Sequence, residues 1–487
     1  MGSRRKSASK SPGPANPDAA RNFAREGILA HVVAPGIVRT RLSEASAAAR
    51  GGIEGVNAFT SQEQTVYIGD VPSNRLKAWV TVEGERFADP VFRLFFPELE
   101  AVYEEKNRGL DNDARKVFEA LNEGLFPHHT YGTQTTIGTV EHLKSPNLKA
   151  INNFMNTYYV PNNMVIALSG DFDPDQAIRV IDAKFGGMKP KDIPAFNVAQ
   201  ESFIKAPIVR NVYGPDAESV TIGYRFRGAN NEDADLITMV DYILSNGQAG
   251  LLDLNLNNEQ KVLQAGSSTD IMKDYSIHML SGKPREGQSL EEVRDLILGQ
   301  LTEIKNGHFP DWLLPAIVNN IRKETATGYE SNRERASTML SAETDGVNYK
   351  DVVNRIDRLS KINKQQVIDF VRTWYGDNYC IVYKRTGVDS SVVKVVKPAI
   401  TPVKMNKDVQ SDFVKKVLTA DAPEIKPVFI DFNKAIRRGK LANGAPVFMV
   451  RNSENNLFDL DADPCAGPTP SATREQCART GVTAAQY

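Results

Sequence analysis

The sequence predicts an α/β (α+β) chain built from two homologous domains. Three observations carry this. At 487 residues the chain is too long for one hydrophobic core. Residues 51–400 read as a regular mixture of strand-like and helix-like runs. And one pattern occurs twice. Phe154-Met-Asn-Thr-Tyr158-Tyr159-Val-Pro-Asn162-Asn163-Met-Val-Ile166 is matched by Phe370-Val-Arg-Thr-Trp374-Tyr375-Gly-Asp-Asn378-Tyr379-Cys-Ile-Val382. Each copy reads as a helix end, an aromatic pair, an Asn turn and a β-branched strand. The offset is 370 − 154 = 216 residues, the size of a domain.

The elements follow in order. Residues 51–205 form the first domain. It opens with two β-rich runs, 56–60 and 65–68, separated by 61–64. A helix passes through 76–80, and Pro97 opens a long helix running to about Phe126, since proline's missing N–H costs nothing in a first turn. Residues 170–174 end a strand and lead into a helix at Asp175. Residues 206–400 form the second domain, with a strand at 220–224 and helical periodicity over 234–244, 290–304 and 312–323. Residues 401–435 suit a linker, with Pro402, Pro423 and Pro427 among charges. A strand over 440–450 begins a third domain, cut short within 436–460, and residues 461–487 are polar, aperiodic and expected to be disordered.

Charge excludes some functions. With 59 basic and 60 acidic residues the net charge is −1, which offers no electrostatic case for nucleic acid or an anionic membrane. No run approaches the roughly 20 apolar residues of a membrane span. The basic, then Pro/Ala-rich first 20 residues lack the apolar core of a secretory signal, so a cytoplasmic chain is expected. Three cysteines, Cys380, Cys465 and Cys477, make neither a disulfide framework nor a Cys-rich zinc site.

Six runs in fixed order carry a family likeness: Asn57-Ala58-Phe59-Thr60-Ser61, Glu98-Leu-Glu-Ala-Val-Tyr-Glu-Glu105-Lys-Asn107, His129-Thr-Tyr131-Gly132, Thr136-Ile-Gly138, Tyr159-Val-Pro-Asn-Asn163 and Ser169-Gly-Asp-Phe-Asp173. Together they resemble the amino-terminal half of an M16 (insulinase/pitrilysin-like) zinc metallopeptidase, over roughly residues 51–460. The resemblance implies that each domain is an antiparallel sheet with packed helices. It also implies two such halves closing around an extended peptide, with zinc as cofactor. It places the third zinc ligand at Glu105 and a supporting acid at Glu98. Seven residues apart on one helix, the two carboxylates share a face. On residue chemistry alone, Glu98, Glu100, Glu104 and Glu105 also read as a solvated acidic face. The resemblance makes Asn57, Ala58, Phe59 and Thr60 a substrate-pairing edge strand, where a peptide adds by backbone hydrogen bonds. An ordinary capped edge is the other reading.

The family's His-x-x-Glu-His motif, which supplies two zinc ligands and the general base, does not occur in this sequence. His31 is followed by Val-Val-Ala-Pro35, and His128 and His129 sit at a helix end where a structural role is expected. One carboxylate does not hold zinc at useful affinity. The expectation is therefore an M16 metalloendopeptidase by ancestry, inactive as written and binding no zinc. The alternative is a non-catalytic peptide-binding or scaffold half that pairs with an active partner. Residues 1–50 resemble a fragment of a short-chain dehydrogenase, with Lys10 at that family's catalytic lysine and Lys6 where it has tyrosine. The Gly-rich dinucleotide fingerprint is missing, so the segment is read as a foreign passenger.

Overall fold

Two successive α/β units emerge from the backbone ladders and helix caps. The computed structural model describes residues 54–92, 95–144, 147–197, 199–389, 393–396, 409–420, 423–424, 429 and 431–460. The dehydrogenase-like fragment (with His31, Lys6 and Lys10) and the 461–487 tail lie outside these residues.

The first domain opens with an antiparallel hairpin, β1 (Glu54–Thr60) and β2 (Thr65–Asp70), in the register Asn57↔Ile68 to Thr60↔Thr65. Five helices follow: α1 (Leu76–Ala88), α2 (Phe95–Leu110), α3 (Asp113–Leu125), α4 (Leu148–Tyr158) and α5 (Pro174–Phe185). The helix expected from Pro97 to Phe126 is two helices. Asn112 breaks it, because its side chain accepts the Arg115 N–H at 2.9 Å and caps a new start. Asn147 and Asp173 cap α4 and α5 in the same way.

The second domain contains β3 (Ile208–Gly214), β4 (Ser219–Arg227), α6 (Asp233–Leu244), β5 (Gln264–Ile271), β6 (Tyr275–Lys283), α7 (Leu290–Lys305), α8 (Leu313–Gly328), α9 (Asn332–Thr344), α10 (Lys364–Trp374) and β7 (Tyr379–Thr386). Its five strands run β3-β7-β4-β6-β5. Every pair is antiparallel except β3–β7, which is parallel. Val220, Ile222, Tyr224 and Phe226 of β4 are buried beneath helices, as a central strand requires.

The sequence repeat is a structural repeat. Helices α4 and α10 begin and end at the same offset (364 − 148 = 374 − 158 = 216). The hairpin β1–β2 corresponds to β5–β6, and α1, α2 and α3 correspond to α7, α8 and α9. The third pair is exchanged between domains. Helix α3 of the first domain lies on the second sheet, its Val117, Leu121 and Leu125 packed with Val212, Cys380 and Val382. Gly124 permits the close approach, since a Cβ there would stand 2.3 Å from Cys380 Sγ. Reciprocally, α9 reaches the first domain. Arg333 pairs with Asp70 at 2.6 Å, Arg335 Nε donates to Ser169 Oγ at 2.9 Å, and Thr344 Oγ1 bonds Gln64 Oε1 at 2.9 Å.

One expected element is not formed. The second copy of the repeat runs into β7, which is paired on both sides. In the first copy, residues 164–168 belong to no strand, so the strand expected to end at Gly170 is not formed. An extended segment becomes a strand only when neighbours satisfy its N–H and C=O groups. The neighbours that flank β7 have no counterparts among the described residues.

A separate unit takes in the end of α8 from Lys323, the turn to Glu330 and the described residues from Asp431 to Leu460. Its described part holds a hairpin, β8 (Arg437–Lys440) and β9 (Pro446–Met449), turned at Gly444 with φ +87°. Among the described residues no helix is long and apolar enough to cross a membrane.

Candidate functional site

The predicted substrate strand is the outer strand of a two-stranded ladder. Asn57, Ala58, Phe59 and Thr60 occupy β1, which pairs only with β2 among the described residues. The Ala58 N–H is outside that ladder and donates to Asn57 Oδ1 at 2.8 Å. The side chain of Asn57 thus covers an edge donor that an added strand would claim. Phe59 is exposed, and Thr60 Oγ1 meets Thr65 Oγ1 at 3.2 Å beside the turn.

That turn is held from beneath. Glu63 is buried at its centre, and Tyr131 donates its hydroxyl hydrogen to Glu63 Oε1. The same hydroxyl oxygen accepts the Asp274 N–H at 3.2 Å, from the β5–β6 turn. Tyr131 therefore ties corresponding hairpins of the two domains. The run His129-Thr-Tyr131-Gly132 carries part of the family likeness but no sign of this role. The pairing joins residues 68 and 143 positions apart, so no local pattern announces it. His129 is buried beside Tyr131 and is hydrogen-bonded through both ring nitrogens. Its Nδ1 accepts the Tyr131 N–H at 3.1 Å, so Nε2 carries the proton and donates to Asp274 Oδ2 at 3.2 Å. His128 Nδ1 lies 3.1 Å from Glu201 Oε2.

Glu98 and Glu105 lie on the single helix α2, whose buried stripe is Phe95, Leu99, Val102, Tyr103 and Lys106. Seven helical steps place the two carboxylates about 20° apart around the axis, on one flank of that stripe. Glu98 is half-buried, and burial raises its carboxyl above the usual range. Glu105 is exposed. Among the described residues no three His, Cys, Asp or Glu side chains group as metal ligands. A catalytic zinc takes three protein ligands and one open position, and the donors described around Glu105 do not fit one.

A half-buried acid stands where α9 ends, near Asp270 of β5. Burial pushes the Asp345 carboxyl up to about 6; Lys273 opposes the rise and Asp270 adds to it. Its folded value thus exceeds its ordinary 3.8. The stability it contributes is full below about pH 4 and lost as pH rises through about 6. Asp345→Asn is expected to gain about 1–3 kcal/mol at pH 7.5 and to flatten the stability profile between pH 4 and 6. Urea unfolding at pH 4.5 and 7.5 checks this; an equal effect at both pH values would contradict it.

Comparisons with known proteins agree with this architecture. Residues 146–321 match the family described as Peptidase M16 inactive domain. The zinc protease PqqE of Helicobacter pylori is 22% identical over 286 residues, covering 57% of this chain and 63% of that protein. This chain therefore spans less than two thirds of that relative. A crystal structure of a protease from Helicobacter pylori superposes with a TM-score of 0.68 at 17% identity, covering 75% of this chain and 90% of the other. The periplasmic protease PqqL from Escherichia coli superposes with a TM-score of 0.59 at 14% identity, covering 89% of this chain but 51% of the other. In sequence and in fold, this chain is related to the M16 zinc peptidases and carries the inactive-domain signature of that family.

Proposed function

We propose that the chain is a non-catalytic M16-type half, with residues 51–205 and 206–400 as its two domains and 436–460 as the start of a third. It descends from zinc metalloendopeptidases, holds an extended peptide along β1 through Asn57, Ala58, Phe59 and Thr60, and pairs with a second half that carries the catalytic motif. One observation carries the reading: the sequence has no His-x-x-Glu-His, and the inherited acid Glu105 stands on a solvent-exposed position of α2. PqqL supports the pairing, because this chain matches 51% of that protein's length. Backbone pairing along β1 needs no metal.

The test is peptide cleavage and binding by the full chain with added zinc. An unstructured peptide should remain uncleaved above background, and Glu105→Gln should change nothing. The same peptide should bind, and Asn57→Pro, which distorts the edge, should weaken binding at least fivefold. Zinc-dependent cleavage that disappears in Glu105→Gln would overturn the non-catalytic reading.

A further inference from the structure

The β1–β2 and β5–β6 hairpins are copies in register. Thr60↔Thr65 matches Ile271↔Ser276, so Glu63 of the first turn corresponds to Asp274 of the second. One side chain reaches both of these acidic positions. The Tyr131 hydroxyl donates to Glu63 Oε1 and accepts the Asp274 N–H at 3.2 Å. Tyr131 belongs to neither hairpin. It follows α3, the helix exchanged onto the second sheet, and is only 3% exposed. Its ring lies 4.2 Å from His129 and 5.5 Å from Phe126. Phe126 in turn packs 5.5 Å from Tyr275 of β6, and His129 donates to the Asp274 carboxyl group. The second domain therefore fixes the hydroxyl, and the hydroxyl fixes the first turn.

What this anchor holds is the end of β1. A two-stranded hairpin is marginal in water by itself, so its position depends on what tethers it. Along β2 the first domain supplies packing, with Tyr67 edge-on to Phe87 at 5.1 Å. At the two ends of the hairpin further tethers come from α9. Thr344 donates its hydroxyl to Gln64 Oε1 at 2.9 Å, and Arg333 pairs with Asp70 at 2.6 Å. Burial ranks these contacts. Arg333 and Asp70 are exposed, and such a pair is worth little in water. Thr344 and Gln64 are half-buried. Tyr131 and Glu63 are buried, where a hydrogen bond is stronger and its loss costs more. Among these tethers Tyr131 is therefore the strongest. Glu63 lies three residues past Thr60, in a turn closed by the Ser61 N–H on Gln64 O at 2.9 Å. A displacement of Glu63 is carried through that short turn to Thr60 and Phe59.

We propose that Tyr131 is a positioning residue for the peptide edge: it sets β1 in place from the second domain, and so links peptide binding along Asn57, Ala58, Phe59 and Thr60 to the order of the β5–β6 turn. The part of this that concerns peptide rests on the reading of β1 as a peptide edge. An added strand engages several N–H and C=O groups at once, so they must stand at a fixed spacing and tilt. A hairpin that rocks about its turn presents them in many arrangements, and a binding peptide then loses affinity by ordering them. Holding the turn in advance removes that loss. The linkage is reciprocal. A peptide that steadies β1 also steadies Tyr131, and through its hydroxyl the Asp274 N–H.

The experiment compares the full chain with Tyr131→Phe, which keeps the ring and removes the hydroxyl. Hydrogen exchange without peptide reads the tether directly. Exchange over Thr65–Asp70 should quicken about threefold or more in Tyr131→Phe, while Ser219–Arg227 of β4 keeps its rates. Fluorescence polarisation with fluorescein-labelled β-casein, an unfolded polypeptide, reads binding. Tyr131→Phe should weaken it about fivefold or more. Glu63→Gln, which keeps an acceptor oxygen for the hydroxyl, should retain both readouts. Tyr375→Phe removes a different buried hydroxyl, the partner of His278, and should leave the first hairpin and the affinity unchanged. Wild-type exchange over 272–275 should slow when β-casein binds. If Tyr131→Phe does not fold, Glu63→Met cuts the same bond from the other side and is read in its place. Unchanged exchange at Thr65–Asp70 overturns the proposal. So does faster exchange with unchanged affinity, or an equal effect of Tyr375→Phe. If the wild type binds no β-casein, the peptide-edge reading fails, and exchange alone decides whether Tyr131 positions the hairpin.

Discussion

Replacing Lys384 with alanine is expected to lower stability by about 3–5 kcal/mol, because it strands a buried carboxylate. Lys384 on β7 and Asp113 on α3 are both buried, with Nζ 3.0 Å from Oδ2. The ammonium also donates to Gly214 O and Asp216 O, and Asp113 accepts the Asp216 N–H at 3.0 Å and pairs with Lys116 at 2.7 Å. Burial alone would raise the Asp113 carboxyl, but hydrogen bonds from Lys116, the Asp216 N–H and Lys384 outweigh it and hold it at about 2. The folded value lies below the ordinary 3.8. The stabilisation is therefore full above about pH 4 and lost as pH falls through about 2. The pair clamps the exchanged helix α3 onto the second sheet, and Gly214 leaves room for it, since a Cβ there would lie 1.8 Å from Asp113 Oδ1. Denaturant unfolding of Lys384→Ala, Asp113→Asn and the double variant checks this. The double variant should cost clearly less than the sum of the two. A loss below about 1 kcal/mol in Lys384→Ala would show that the carboxylate is relieved by water or by Lys116 alone.

The second large effect is a contrast between copies of the repeat. Tyr375→Ala should cost about 3–5 kcal/mol, the range for removing a large buried aromatic. The Tyr375 ring stands 4.7 Å from Tyr224, 5.1 Å from Phe226 and 6.1 Å from Phe370, and its hydroxyl serves the buried His278. Tyr159→Ala, the matching change, should cost less, about 1–3 kcal/mol, because Tyr159 is half-buried and lines a cavity among the described residues. Thermal and urea unfolding of the two variants measures the difference. Equal losses would mean that the first domain is packed as fully as the second.

Much of the chain was legible in its residues because the signals are local. Asn363 and Ser289 each close a capping box, with Gln366 and Glu292, and so start α10 and α7, the second of them where periodicity places a helix over 290–304. The aromatic pair and Asn turn that follow α4 and α10 announced the repeat. The single helix expected from Pro97 to about Phe126 is two, because three polar residues, Asp111, Asn112 and Asp113, support either a continuing helix or a fresh cap. The side chain of Asn112 chose the cap. Of the candidate site, the strand character of Asn57–Thr60 follows from a β-rich run and the shared flank of Glu98 and Glu105 from helical spacing, while their roles come only from the family resemblance; the brace from Tyr131 to Glu63 and Asp274 follows from neither, because it joins distant segments.

What the sequence determined by itself is therefore the repeat, the helices with their caps, and the kinship with M16 peptidases. What only the tertiary structure decided is the fate of a β-branched segment. Met164, Val165 and Ile166 read like Cys380, Ile381 and Val382, yet the second set forms an inner strand of a sheet and the first, among the described residues, pairs with no strand and lines a cavity. A helix satisfies its backbone within itself, so its residues suffice to specify it. A strand satisfies its backbone only through neighbours, and the second domain has them on both sides of β7.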